Sequence, residues 1–221
     1  MISGSSQQLS PTFTISIWHA MTFKAFSKIF PMALLGAGLL LAGCSEEPGK
    51  PNSAKTDQKA PAPVSMSAMA EQATGFTVGS QMTARTVYVF FDAQCPHCGA
   101  LWNAAKPLKS QTKFVWIPVG IINPSSTSQG ATLLAAADPV AAMDAHETSL
   151  LAKQGGISAA SNLDTQKAAV ARNTELMTRF GFTSIPTIIG MHAQTGALVT
   201  KEGAMPTAAL ADLLGLQVPA N

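Results

Sequence analysis

Cys95-Pro96-His97-Cys98 is the stretch of the chain with the clearest chemistry. Two cysteines separated by two residues suit a dithiol that closes to a disulfide and reopens. The apolar run Val87-Tyr88-Val89-Phe90-Phe91 precedes them and a helix-like segment, Ala100 to Leu108, follows, so the pair falls at a strand-to-helix junction. There the first cysteine lands at a helix N-terminus, where unpaired N–H groups and the positive dipole end favour a thiolate. Pro96 fits the first helical turn because it has no N–H to leave unsatisfied. His97, when protonated, adds a positive charge that lowers the Cys95 pKa further. Cys98 lies one helical turn on, within reach of a mixed disulfide formed by Cys95. Asp92, just upstream, is placed either to tune the pair electrostatically or to shape the turn before it.

Other uses of these residue types fit less well. A structural zinc site wants four N/S ligands, and the chain has no second CxxC and no His pair nearby. Haem attachment needs His after the second cysteine, and Gly99 stands there. No metal is therefore expected, and a redox-active disulfide takes the place of a cofactor. Met66 and Met69 are soft ligands suited to Cu(I), but their spacing also gives the apolar face of a short helix, Ser65 to Ala73, the commoner use. His146 and His192 are isolated and read as surface or packing residues. Trp102, four residues past Cys98 on the same helix, reads as core rather than as a substrate platform.

The elements that must position this pair follow from the pattern. Thr86 to Phe91 is apolar on both faces and rich in β-branched and aromatic residues, as a central strand requires. The helix from Cys95 is kinked or ended at Pro107. Lys113 to Val119 is a second buried strand, which tolerates Pro118 only near its end or at an edge. Ser125–Ala137, Pro139–Ala152 and Leu163–Phe180 read as helices, with Asp138 and Asp164 as start signals and Gly181 as a stop. Thr187–Met191 and Ala197–Lys201 form a strand pair turning at Gly196, and Pro206–Leu214 is a closing helix. The expected class is α/β, with the folded domain spanning 75–221.

Composition and the first third of the chain concern location. The 221 residues hold one domain of ordinary size plus a leader, or two small ones. Lys24 and Lys28 open a positive n-region after Met21, Phe30 to Ala42 is an apolar h-region, and Leu41-Ala42-Gly43-Cys44 ends it. This order is a secretory signal too short for a comfortable membrane span, and its ending matches the bacterial lipobox. Residues 1–43 are thus expected to be leader, with Met21 as the start, and Cys44 to be acylated, against the plainer reading of an ordinary signal with an incidental cysteine. Acyl chains contribute about 0.8 kcal/mol per buried CH₂ and anchor the protein to a bilayer without spanning it. Ser45 after the lipid cysteine favours the outer membrane. Residues 44–74 shift to Pro, Lys, Ala, Ser and Glu and read mainly as a tether; about 20 such residues span roughly 25 Å. Without Lys24 and Lys28, the 14 basic residues fall level with the 12 acidic ones, so nothing asks for a nucleic-acid partner.

Strand, helix, strand, helices, strand pair and helix is the thioredoxin order with a helical insertion. A site of that type needs a proline with a cis bond before it, and Ile185-Pro186-Thr187 is the candidate. A cis bond there exposes the Ile185 backbone for strand-like pairing with a substrate peptide. Residues of roughly 80–217 resemble the catalytic domain of the periplasmic DsbC/DsbG disulfide isomerases, closer to the DsbG branch. The stretches that carry the resemblance are Val87 to Asp92, Cys95 to Cys98, Val119-Gly120-Ile121-Ile122-Asn123-Pro124, Ala137-Asp138-Pro139 and Ile185-Pro186. It implies Cys95 as nucleophile, Cys98 as resolving thiol and Pro186 as cis-proline, with Ile185 and Thr187 beside the substrate. It also implies partners: envelope proteins carrying disulfides or oxidised cysteines, and a membrane thiol–disulfide donor or acceptor. The chain departs from the family in Ile185, where Thr is usual, in a Pro-His dipeptide shared with the oxidant DsbA, and in the short span before the first strand. That span is too short for the family's dimerisation domain, so a monomer is expected. Val89 stands where thioredoxin keeps a buried acid.

Overall fold

A computed structural model describes residues 60–218. The expected leader, Cys44 and the part of the expected tether up to residue 59 lie outside the described residues. Five strands form one sheet: β1 (Phe76–Gly79), β2 (Thr86–Asp92), β3 (Lys113–Val119), β4 (Thr187–Met191) and β5 (Leu198–Glu202), in the order β1-β3-β2-β4-β5. β2 and β3 are parallel, Val87 opposite Phe114 and Phe91 opposite Pro118, and the other three pairings are antiparallel. Six helices accompany the sheet: α1 (Met66–Gln72), α2 (Pro96–Ala105), α3 (Pro124–Ala135), α4 (Pro139–Leu151), α5 (Asp164–Arg179) and α6 (Thr207–Leu214). This is the expected α/β thioredoxin-like architecture, with α3, α4 and α5 inserted between β3 and β4.

β2 is central because its side chains are apolar on both faces. Val87, Val89 and Phe91 join a core with Leu101 and Trp102 of α2 and Leu210, Ala211 and Leu214 of α6. Tyr88 and Phe90 face the other way, into Ile117, Val119 and Leu176, Met177 and Phe180 at the end of α5. Trp102 is 1% exposed and packs edge-on against Trp116 with ring centroids 5.0 Å apart, one contact in a chain that runs on through Phe91 and Phe76. Such aromatic pairs add about 0.5–1.5 kcal/mol to the burial of their area. The indole is therefore core, as expected.

The boundaries of the elements follow local chemistry. Pro107 ends α2 by converting it to a short 3-10 turn over Lys106–Leu108. Asn123 and Ser126 close a capping box at the start of α3, and Asp138 accepts from the Val140 and Ala141 amides to cap α4. Pro118 is tolerated because β1 pairs with β3 only as far as Trp116, so beyond that residue β3 has no strand on that side to receive an N–H.

The packed part of the chain starts earlier than the expected Gly75. The Ala62 amide donates to the Arg179 carbonyl at 2.7 Å, and Met69 of α1 is fully buried against Tyr88 and Phe90. The Met69 sulfur is thus part of the core and not available as a copper ligand. Asn173 of α5 locks this segment down. It is fully buried; its Oδ1 accepts from the Thr74 amide at 3.0 Å, and its Nδ2 donates to the Thr74 and Pro118 carbonyls at 2.8 and 3.0 Å. Replacement of Asn173 by Ala leaves those three backbone groups without their partner. The expected loss is about 2–4 kcal/mol, read as a lower urea midpoint at unchanged slope; a loss below about 0.5 kcal/mol would contradict this role.

Candidate active site

The redox pair sits where β2 ends and α2 begins. Cys95 is the N-cap of α2, Pro96 occupies the first turn, and the Cys98 amide donates to the Cys95 sulfur at 3.3 Å. Both cysteines are free thiols, 4% and 0% exposed. The hydrogen bond from Cys98 lowers the Cys95 thiol to about 7, helped by the backbone amides of Cys98 and His97 and by the His97 charge, against the opposing effect of burial. Cys98 is driven strongly upward, first by burial and then by its interactions with Cys95. The two sulfurs therefore differ in kind: one is ionised near neutral pH, and the other holds its proton. Pro96 and His97 are exposed beside them.

Two polar side chains hold the loops that carry this geometry. Asp92, 1% exposed, accepts from the Gln94 amide at 2.8 Å through Oδ1 and from the Ile121 and Ile122 amides at 2.8 and 3.0 Å through Oδ2. It ties the β2–α2 loop to the β3–α3 loop, the turn-shaping use, and its charge also acts on Cys98. His146 is fully buried; its Nδ1 accepts from the Ile157 amide at 3.1 Å, so its Nε2–H donates to the Ala93 carbonyl at 2.5 Å. Burial lowers its pKa, which suits this neutral tautomer. His192, half-buried, accepts from the Gln194 and Thr195 amides through Nδ1 and shapes a turn away from the pair.

The second half of the site comes from the loop before β4. The Ile185–Pro186 bond is cis, and the Ile185 carbonyl oxygen lies 4.0 Å from the Cys95 sulfur. Glu202 of β5 holds this loop by accepting from the Ser184 and Thr183 amides at 2.6 and 3.3 Å, and the Gly203 amide donates to the Pro186 carbonyl at 2.8 Å. Thr187 differs from expectation. It is fully buried between β2 and β5, and its hydroxyl donates to the Ser184 carbonyl, so its side chain braces the loop. Glu202 and His146 act through partners distant in sequence, and no local motif marked either as a brace.

Comparison with known proteins follows from this arrangement. No family model matches the sequence. The thiol:disulfide interchange protein DsbG of Pseudomonas aeruginosa is 34% identical over 151 residues, which cover 66% of this chain and 57% of that protein. The domain is DsbG-like. DsbG of Escherichia coli is 30% identical over 138 residues, covering 60% of this chain and 54% of that protein. The chain thus spans a little over half the length of the curated relatives it matches. Among solved structures, Proteus mirabilis ScsC in a transitional conformation superposes with a TM-score of 0.52 at 18% identity, covering 67% of this chain and 77% of that one. The thiol-disulfide exchange protein alpha-DsbA2 of Wolbachia pipientis gives 0.52 at 18% identity, covering 67% and 91%. These neighbours establish the thioredoxin-like fold.

The asymmetry of the pair has a direct readout. Alkylation of Cys95 in the reduced protein is expected to rise with pH through about 7, well below the ~8.5 of a free thiol. Cys98→Ala retains the amide but loses the thiol that donates to Cys95, and so shifts this midpoint upward by more than His97→Ala does. Equal shifts, or a larger one from His97, would contradict the ordering of causes.

Proposed function

We propose that the chain is an envelope thiol–disulfide oxidoreductase that acts on protein substrates through Cys95 and Cys98. The observation that carries this reading is the Cys95 sulfur at the helix N-terminus, ionisable near neutral pH and beside a Cys98 thiol held protonated. The Cys95 thiolate attacks a substrate disulfide, forms a mixed disulfide and expels one substrate thiolate. Cys98 then attacks Cys95, which closes the Cys95–Cys98 disulfide and reduces the substrate; attack by the substrate's own thiol instead gives isomerisation. Substrate peptide lies along the Ile185 backbone, next to the cis bond and the Cys95 sulfur. The resemblance to DsbG supports periplasmic substrates with disulfides or single oxidised cysteines, and a membrane thiol–disulfide partner that resets the pair. No cofactor is needed beyond the redox-active disulfide.

For the direction of electron flow, the thiol acidity is the best guide. Strong oxidants of this fold stabilise the reduced form by a thiolate with a pKa near 3.5, whereas thioredoxin sits near 7. Cys95 at about 7 belongs with the second group and favours reductase or isomerase work over oxidation, despite the Pro-His dipeptide. Location follows from the sequence: acylation at Cys44 would hold a monomeric domain on the periplasmic side of a bacterial membrane, the outer one favoured by Ser45. Among the described residues no helix is long and apolar enough to cross a membrane.

Equilibration of the protein in glutathione buffers tests the reading. The Cys95–Cys98 couple is expected to lie below about −180 mV; a value near −120 mV would reassign it as an oxidase. Cys95→Ser is expected to abolish exchange, and Cys98→Ala to accumulate mixed disulfides with substrate. Exchange at the wild-type rate by Cys95→Ser would overturn the mechanism.

A further inference from the structure

The cavity beside the redox pair ends on a carboxyl group with no partner. Glu147 of α4 is 5% exposed, and its Oε1 is buried with no hydrogen bond among the described residues. The carboxyl presses on α2 at Gly99, the residue after Cys98, so closely that a β-carbon there would overlap it. It lines a cavity of about 190 Å³ together with Pro96, Gly99 and Asn103, walled by Leu150 and Leu151. A volume of that size holds several waters, each needing about 30 Å³.

The other titratable groups around the pair are committed. Asp92 accepts from three backbone amides. His146 has both ring nitrogens engaged, and burial keeps it neutral. Asp144, one turn before Glu147, accepts from the Trp102 indole at 2.7 Å and pairs with Lys106 at 2.5 Å. His97 lies on the exposed side of the first turn of α2. That leaves Glu147, packed against α2 at Gly99 next to Cys98, as the acid with spare capacity to take or give a proton among the described residues.

We propose that Glu147 holds the proton that thiol–disulfide exchange at Cys95 and Cys98 has to move. The assignment rests on the dithiol mechanism above and deepens it. In the first step the Cys95 thiolate forms a sulfur–sulfur bond to substrate, its negative charge leaves the site, and the departing substrate sulfur carries the electron pair away. Glu147, no longer facing a thiolate, gives its proton to that departing thiolate and becomes a carboxylate. In the second step the carboxylate takes the proton from the Cys98 thiol. The Cys98 thiolate then attacks Cys95, the mixed disulfide breaks, and the substrate leaves as a thiolate. The first step leaves the buried site with one negative charge, and in the second that charge departs with the substrate thiolate, so the site never has to hold two. The acidity of Glu147 suits this role: burial and then the Cys95 charge push its carboxyl up to about 7, against a pull from Lys106, so it keeps its proton beside the thiolate at neutral pH and yields it once that charge has gone.

The test uses the reduced full chain mixed with excess dithiobis(nitrobenzoate). Release of the coloured thiolate is expected in two phases, a concentration-dependent attack by Cys95 and a concentration-independent resolution by Cys98. Glu147→Gln is expected to slow the second phase at least about tenfold at pH 7. The deficit shrinks as pH rises, and added imidazole restores part of the rate. The same variant ionises Cys95 at lower pH, because the like charge is gone. After the substrate thiolate has left, the Glu147 carboxyl no longer faces the Cys95 charge and releases its proton to solvent, so in the wild type the infrared band of a protonated carboxyl should be stronger in the reduced than in the disulfide form at pH 7. An unchanged second phase, one slowed by the same factor at every pH, or no redox-linked carboxyl band would overturn the proposal. The infrared measurement holds even where the Gln variant fails to fold. If the wild type has no concentration-independent phase at all, the dithiol mechanism fails instead.

Discussion

The pairing of the Cys95 sulfur with Cys98, whose thiol and amide both donate to it, gives the site its character. It forms only if the chain leaves the sheet at Asp92 and enters a helix at Pro96 with Cys95 as the cap. A sulfur in that position collects amides that would otherwise be orphaned at the helix start, and the negative charge they favour is placed at the surface end of a buried helix. The same turn carries Cys98 into the core, where burial has the opposite effect on its acidity. One local geometry thus makes two identical side chains chemically unlike, and exchange needs that difference.

Preserving this turn is a problem of loops, and loops have no ladder to satisfy their backbone groups. The protein solves it with buried polar side chains reaching across from other elements. Asp92 gathers amides from the loops after β2 and β3; His146 ties the β2–α2 loop to α4 and Ile157; Glu202 fixes the segment before Pro186. Each contact is charged or buried, so each is costly to leave half-made, which favours a single arrangement over several. The Ile185 carbonyl is held beside Cys95 by this bracing and not by any direct bond between the two loops other than the long sulfur contact.

How much of this was legible in the sequence depended on distance along the chain. The strand β2, the helix after it, the cap at Asp138 and the Pro107 break are local patterns, and they are readable because period, capping and proline chemistry act over a few residues. The pairing of Cys95 with the Ile185–Pro186 bend was legible only through the order of the elements and the family resemblance. What stayed hidden are contacts whose partners lie far apart: His146 with Ala93, 53 residues away, and Asn173 with Thr74, 99 residues away. The start of the packed chain is hidden for the same reason, since a Pro- and Ala-rich stretch gives no sign that Asn173 will hold its end. Thr187 reads as substrate-facing by its neighbour, while its burial is decided by strands on both flanks.

Glu147 shows what such a hidden contact does to the energy of the fold. Its pKa is raised, from 4.5 in an unfolded chain to about 7, so it contributes fully to stability only when protonated. For an acid moved in this direction the contribution is present below the unfolded value and is lost as pH rises through the folded one. Above neutrality the carboxylate therefore costs the fold a few kcal/mol, a strain with no compensating bond among the described residues. The neighbouring Cys95 has the opposite sign: its lowered thiol stabilises the reduced fold increasingly as pH rises past about 7. Near neutrality the two tendencies cross, and the site holds one negative charge that either group can carry. Oxidation removes the thiol from this balance and leaves the carboxyl free to ionise. The proton affinity of the cavity therefore changes with the redox state of the pair, which couples electron movement at the sulfurs to proton movement at α4.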